Sequence, residues 1–376
     1  MTNSTVVPQH TLTSPLFTPF RFRNGVVARN RIWLAPMTNL QSHLDGAISE
    51  DELNWLLRRA NGGFGVIETC AAHVAEEGQS WEGQLSFCSD AHIPGLRTLA
   101  TGLKAHGSIG IAQLFHGGVR AGPQVSGLPA WSASVVEDGG VTPREATRED
   151  IVAVIGRFRD AALRARAAGL HGIELHGAHG YLFGQFLSVF NNRRTDEWGG
   201  SFENRARLLR ETVQTIRAAV PPSFVVGVRM CTEDWGQAKG LDLDESVQLA
   251  QWLAEDGVDY LHLSQSAANS HTKKRPECHV LTLFRAAVPP EVPLVVAGQI
   301  WTRQEAELLL EKGASGVALG LSAIANPDWP NDAQRADWEP RRPPFTIAEL
   351  VERGLSLRFA QYMSGWWKGF VVDETT

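Results

Sequence analysis

Two imidazoles and a phenol stand close together at His176, His179 and Tyr181. Histidines three positions apart, just past the end of a strand, can aim two N–H donors at one oxygen, which is how a developing oxyanion is stabilised. A tyrosine beside them can serve as a proton donor. A metal site would need a third ligand, and no carboxylate or cysteine follows at suitable spacing. The plainer alternatives are two histidines that tie loop backbone together and a packed tyrosine with a satisfied hydroxyl. Arg229 is a second signal, because a charge inside the apolar run 225–230 is costly to bury alone. It either meets a carboxylate within the fold, Glu68 or Glu174, or faces an anionic ligand. Gln113 offers both a donor and an acceptor at another strand end, which suits a flat ring with carbonyls and ring nitrogens. Gly298 and Gly320 could bring bare backbone N–H groups to a phosphate, or could simply be turn residues.

These residues need elements to hold them. Eight short, nearly all-apolar runs read as strands buried on both faces: 31–34, 65–68, 109–114, 172–176, 225–230, 260–264, 294–297 and 316–319. Amphipathic segments at 51–60, 150–168, 203–219, 243–255 and 302–312 read as helices between them. Gly169, Gly257 and Gly313 follow helix ends, where a left-handed cap favours glycine. Eight strand–helix alternations predict an α/β protein with a parallel sheet closed into a single (β/α)8 barrel. The chain has no GxGxxG and no Gly-Lys dipeptide, so a doubly wound nucleotide fold has no support. Asn24-Gly25 marks a hairpin over 17–29 that could plug the barrel bottom. The barrel is expected over 1–335. The tail 336–376, with Trp366, Trp367 and Phe370, is expected to pack on it or to cover the site, and exposed aromatics there would point to a homo-oligomer. A barrel puts its site at the C-terminal strand ends. That brings forward Ala35, Pro36, Met37 and Thr38 after the first strand and Thr69 after the second.

Composition removes other classes. With 35 Lys+Arg against 41 Asp+Glu, the net charge is −6, which suits neither a nucleic-acid binder nor a polybasic membrane patch. Cys70, Cys88, Cys231 and Cys278 form no CxxC pair, arguing against an iron–sulfur cluster, a zinc ribbon or a disulfide framework. Free thiols, the lack of a signal-peptide pattern and the lack of a spanning apolar run lead to the expectation of a cytoplasmic protein.

The run Ile173-Glu-Leu-His-Gly-Ala-His-Gly-Tyr-Leu and the block Asn192-Arg-Arg-Thr-Asp-Glu-Trp-Gly-Gly-Ser-Phe-Glu-Asn-Arg205 resemble the signature of the old yellow enzyme family of flavin-dependent ene-reductases. The stretches Asn30-Arg31-Ile32, Ala35-Pro36-Met37-Thr38 and Ile111-Ala-Gln113 are similar to that family's first and third strands. The resemblance implies FMN across the barrel mouth, reduced by NADPH or NADH. Ala35, Pro36, Met37 and Thr38 would line one face of the ring, with Thr69 nearby, and Gln113 and Arg229 would sit at its pyrimidine edge. Gly298 and Gly320 would hold the phosphate. His176 and His179 would bind the oxygen of an electron-poor alkene (enone, enal, maleimide or nitroalkene), which takes hydride from FMN and a proton from Tyr181. The alternative is a flavin-binding protein of low turnover with a sensing or nitro-reducing role. Departures from the family pattern matter. Leu321 stands where an arginine usually meets the phosphate, leaving Arg303 as the nearest candidate to compensate. Leu40 stands where some relatives carry a substrate-contacting tyrosine, while Thr38 is a family option. Nothing after the barrel reads as a cluster-binding cysteine motif or a nucleotide-binding domain, so dienoyl-CoA reductase and amine dehydrogenase architectures are not expected.

Overall fold

The computed structural model describes residues 14–335 and 337–372, so the outer ends of both expected segments lie outside the described residues. Eight parallel strands close into a barrel: β1 (Ile32–Leu34), β2 (Val66–Glu68), β3 (Ile109–Phe115), β4 (Gly172–Gly177), β5 (Val225–Cys231), β6 (Tyr260–Ser264), β7 (Leu294–Ala297) and β8 (Gly316–Leu319). Every residue of these strands is buried, which is why each reads as a continuous apolar run rather than an alternating one. Closure is made by the pairing of β8 with β1, Leu319 opposite Leu34. The outer ring comprises α1 (Glu50–Asn61), α2 (Ile93–Ala105), α3 (Arg148–Ala168), α4 (Phe202–Ala219), α5 (Leu243–Glu255), α6 (Val280–Ala287), α7 (Arg303–Glu311) and the short α8 (Leu321–Ala325). Gly169, Gly257 and Gly313 all take positive φ after their helices, as expected.

The hairpin pairs Phe20–Arg21 with Val27–Ala28 across a turn in which Gly25 has φ +91°. Phe20 and Phe22 are buried against Trp33 and Tyr260, with ring centroids 4.9 to 5.6 Å apart, so the barrel bottom is an aromatic plug. Gly227, opposite Tyr260 on β5, makes room for that tyrosine: a Cβ at 227 would lie 2.2 Å from its ring.

Two further helices, α9 (Ile347–Glu352) and α10 (Leu357–Trp366), belong to the tail. Phe359, Ala360, Met363 and Phe370 join the main core, and Phe359 meets Trp55 of α1 edge-on at 5.0 Å. The tail therefore packs on the barrel, but not through all its aromatics. Trp366 and Trp367 are 66% and 45% exposed, because the buried face of α10 ends at Met363. Uncovered aromatics of this kind are what a subunit interface would bury.

Candidate active site

From the aromatic plug upward the barrel interior is polar. Gln113, Glu174, Glu68, Tyr260 and His262 form a fully buried cluster. Glu174 accepts from Gln113 Nε2 (2.7 Å), Tyr260 OH (3.1 Å) and His262 Nδ1 (2.9 Å), while Tyr260 OH also reaches Glu68 (3.2 Å). Glu68, Glu174 and His262 bring ligand-type atoms together, and Glu68 Oε2 and His262 Nε2 have no hydrogen-bond partner among the described residues. Burial and the neighbouring Glu174 charge push Glu68 well up, so it keeps its proton. Burial opposes ionisation of Glu174 too, yet His262 and Arg229 hold it down as the carboxylate. Glu174 also fixes Gln113: with Nε2 donating downward, the carboxamide oxygen is free as an acceptor.

Arg229 lies at the top of this cluster, in register with His176 and His262. Its partners are Pro36 O (3.5 Å) and Ser264 Oγ (3.1 Å), and Nε is a buried donor without a partner among the described residues. Glu68 and Glu174 feel its charge but do not bond it, so of the two readings of Arg229 the anionic-ligand one remains open. Ala35 and Pro36 are buried, and Met37, Thr38 and Leu40 half-buried, at the end of β1. Leu40 takes φ +56° in a tight turn against Gly83. The Thr69 hydroxyl is spent within the barrel, accepting from Gln113 N and donating to Cys70 O.

Gly298 (φ +149°) needs to be glycine, since a Cβ would lie 2.5 Å from Gln265 O. Gly320 precedes α8, and Ser322 Oγ donates to Ile300 O (2.7 Å), stitching the two glycine loops together. Leu321 is half-buried against the apolar core. Arg303, the expected nearest cation, has two of its three nitrogens engaged elsewhere. Its donors go to Glu307, Ala333 O and Gln334 O, and its guanidinium lies over Phe17.

His176, His179 and Tyr181 do converge: the His176 ring lies 4.9 Å from His179 and 5.1 Å from Tyr181, centroid to centroid. His176 Nδ1 accepts from Ala178 N (3.4 Å), which leaves Nε2 as the N–H donor. Burial, reinforced by Arg229, holds His176 down at about 3 and His179 well below its ordinary value, so both are neutral donors. Burial raises the Tyr181 phenol. Arg120, whose guanidinium lies 4.6 Å over the Tyr181 ring and donates to His179 O (2.9 Å), works the other way.

Sequence reasoning missed several neighbours. Arg120, Ser264 and Trp235 all touch the pair or its tyrosine. The tail also reaches the mouth: Tyr362 of α10 bonds Thr38 and lies close enough to feel Tyr181, and burial pushes its phenol up to about 12. The strand-end rule would have found Ser264, and Tyr362 is one of only three tyrosines.

Three buried histidines make stability pH-dependent. Burial holds His73 at about 4 and His116 and His176 at about 3, against about 6.5 when unfolded. Between those values the unfolded chain binds more protons, so stability falls as pH drops below about 6.5, by up to about 1.4 kcal/mol per histidine per pH unit. The urea midpoint should drop between about pH 7.5 and 5, with a shallower drop in His116→Gln. Equal midpoints at both pH values would contradict this.

The barrel mouth thus gathers a buried guanidinium whose Nε has no partner among the described residues, two stitched glycine loops and a histidine–tyrosine donor set. Residues 15–337 match the model of the NADH:flavin oxidoreductase / NADH oxidase family, and the chain belongs to that family, the old yellow enzymes. It is 34% identical over 325 residues to the probable NADH-dependent flavin oxidoreductase YqiG of Bacillus subtilis, covering 84% of this chain and 86% of that protein. It is 36% identical over 325 residues to an NADPH dehydrogenase of Bacillus licheniformis, covering 85% and 94%. The solved old yellow enzyme homologue from Zymomonas mobilis superposes with a TM-score of 0.79 at 25% identity, over 92% of this chain and 99% of that one. The protein is thus an FMN-dependent NAD(P)H flavin oxidoreductase. The mouth suits FMN, since Arg229 Nε lacks a partner and Gly298 admits no side chain. Among the described residues no helix is long and apolar enough to cross a membrane.

Proposed function

We propose that the protein reduces electron-poor C=C bonds in enones, enals, maleimides and nitroalkenes. The observation that carries this is the convergence of two neutral histidines and a protonated tyrosine at one strand end. Bound FMN would supply the two-electron chemistry, hydride in from NAD(P)H and hydride out to the alkene β-carbon. His176 and His179 bind the substrate oxygen and stabilise the negative charge that grows on it. Tyr181 delivers the proton to the α-carbon. Arg229 and Gln113 would hold the pyrimidine edge of FMN, Ala35 to Thr38 one face of its ring, and the Gly298 and Gly320 loops its phosphate.

In the test, NAD(P)H bleaches the yellow protein without oxygen, and an enone or maleimide restores the colour. Tyr181→Phe should slow the second step several-fold and spare the first, because the proton is needed only there. Recovery of colour with oxygen or nitro compounds alone would favour the low-turnover alternative. Equal loss in both steps would make Tyr181 a packing residue.

A further inference from the structure

Ser264 ends β6 opposite Cys231 on β5 and is 2% exposed. Its hydroxyl lies between the arginine assigned to the pyrimidine edge and a histidine assigned to the substrate oxygen: Arg229 Nη2 is 3.1 Å from Oγ, and His179 Nε2 is 2.7 Å from it. A guanidinium can only donate, so Arg229 occupies one lone pair of Oγ. The hydroxyl has a single proton, and His179 Nε2 is the one acceptor within reach among the described residues. If Nε2 carried the hydrogen instead, Oγ would accept twice and its own proton would be buried with nothing to bond, an arrangement that costs stability. His179 is also neutral, so it has only one N–H to place.

The residue is held on several sides. His179 sits at φ +62°, its backbone N–H donates to Cys231 Sγ (3.3 Å), and its carbonyl accepts from Arg120. Trp235 meets its ring edge-on at 5.4 Å and is itself tied by Nε1 to Ser264 O (3.2 Å). Nδ1 of His179 has no hydrogen-bond partner among the described residues and is not fully buried.

We propose that Ser264 is a positioning residue that fixes His179 as the Nδ1–H tautomer and couples its donor to Arg229. The two histidines then present different nitrogens to one oxygen, His176 through Nε2–H and His179 through Nδ1–H. The inference rests on the reading of these histidines as oxygen ligands, but the tautomer can be measured without any ligand.

The experiment is nitrogen-15 NMR of histidine-labelled holoprotein, with the His179 signals assigned by their loss in His179→Gln. Long-range proton–nitrogen correlations should show Nδ1 protonated and Nε2 bare. In Ser264→Ala the ring should shift toward Nε2–H or a mixture, and Ser264→Thr should restore it. Affinity for a phenol, read from its charge-transfer band, should fall about tenfold or more in Ser264→Ala and recover in Ser264→Thr. A wild-type His179 protonated at Nε2 overturns the proposal, as does phenol affinity unchanged in Ser264→Ala. The wild-type spectrum decides even where the alanine variant fails to fold. Failure of the oxygen-ligand reading would show separately, as phenol binding that survives loss of both histidines.

Discussion

Replacing His176 and His179 together with alanine is expected to leave a folded, yellow protein that no longer binds phenols and barely reduces alkenes. Phenols mimic the charge that grows on the substrate oxygen, and the two rings, 4.9 Å apart, are placed to meet one oxygen between them. Each lost donor should cost about 3 kcal/mol, or about a hundredfold in rate, so the pair together approaches ten-thousandfold. Phenol titration followed by its charge-transfer band measures binding, and single-turnover reoxidation by an enone measures chemistry. A normal band in the double variant would refute the assignment.

Leu321→Arg should tighten FMN. The phosphate carries about two negative charges and is usually met by an arginine fork or by oriented backbone N–H groups. Here the residue after Gly320 packs against apolar core, and Arg303 has Nε on Glu307 and Nη1 on the Ala333 and Gln334 carbonyls. Backbone N–H groups of the stitched glycine loops are then the main support, and some FMN should be lost on dilution. A new arginine should gain about 1.5–3 kcal/mol, roughly ten- to a hundredfold in affinity. Titration of apoprotein with FMN reads this directly. Unchanged affinity would show that the phosphate site is already complete, or that Leu321 does not face it.

The barrel was legible because a strand buried on both faces has no polar face to interrupt its apolar run, and Asn24-Gly25 announced the plug. Some helices were not legible. In α2, Pro94, Gly95 and Gly102 break the pattern, yet Gly102 belongs there because a Cβ would lie 2.7 Å from Leu57 of α1. The 192–205 block, so specific as a signature, turns out to be partly a clasp. Asn192 bonds Phe186 O and Trp198 O, Arg194 bonds Ala133 O and Ala146 O, and Arg205 reaches Leu187 O and Glu245. Within the site, residues on strand ends could be read from position. Arg120 and Tyr362 could not, because they arrive from a loop and from the tail, and only tertiary packing brings them to Tyr181.

Gly227 and Tyr260 restrict how this chain can drift. They occupy one shared volume on adjacent strands, so a side chain at 227 can enter only if the ring at 260 shrinks. That ring also carries the hydroxyl that bonds both buried carboxylates, Glu68 and Glu174. An unremarkable glycine in the middle of β5 is thereby yoked to the charge state of the cluster above it. Related sequences should exchange the two positions as a couple, and where they do, the acids at 68 and 174 should change with them.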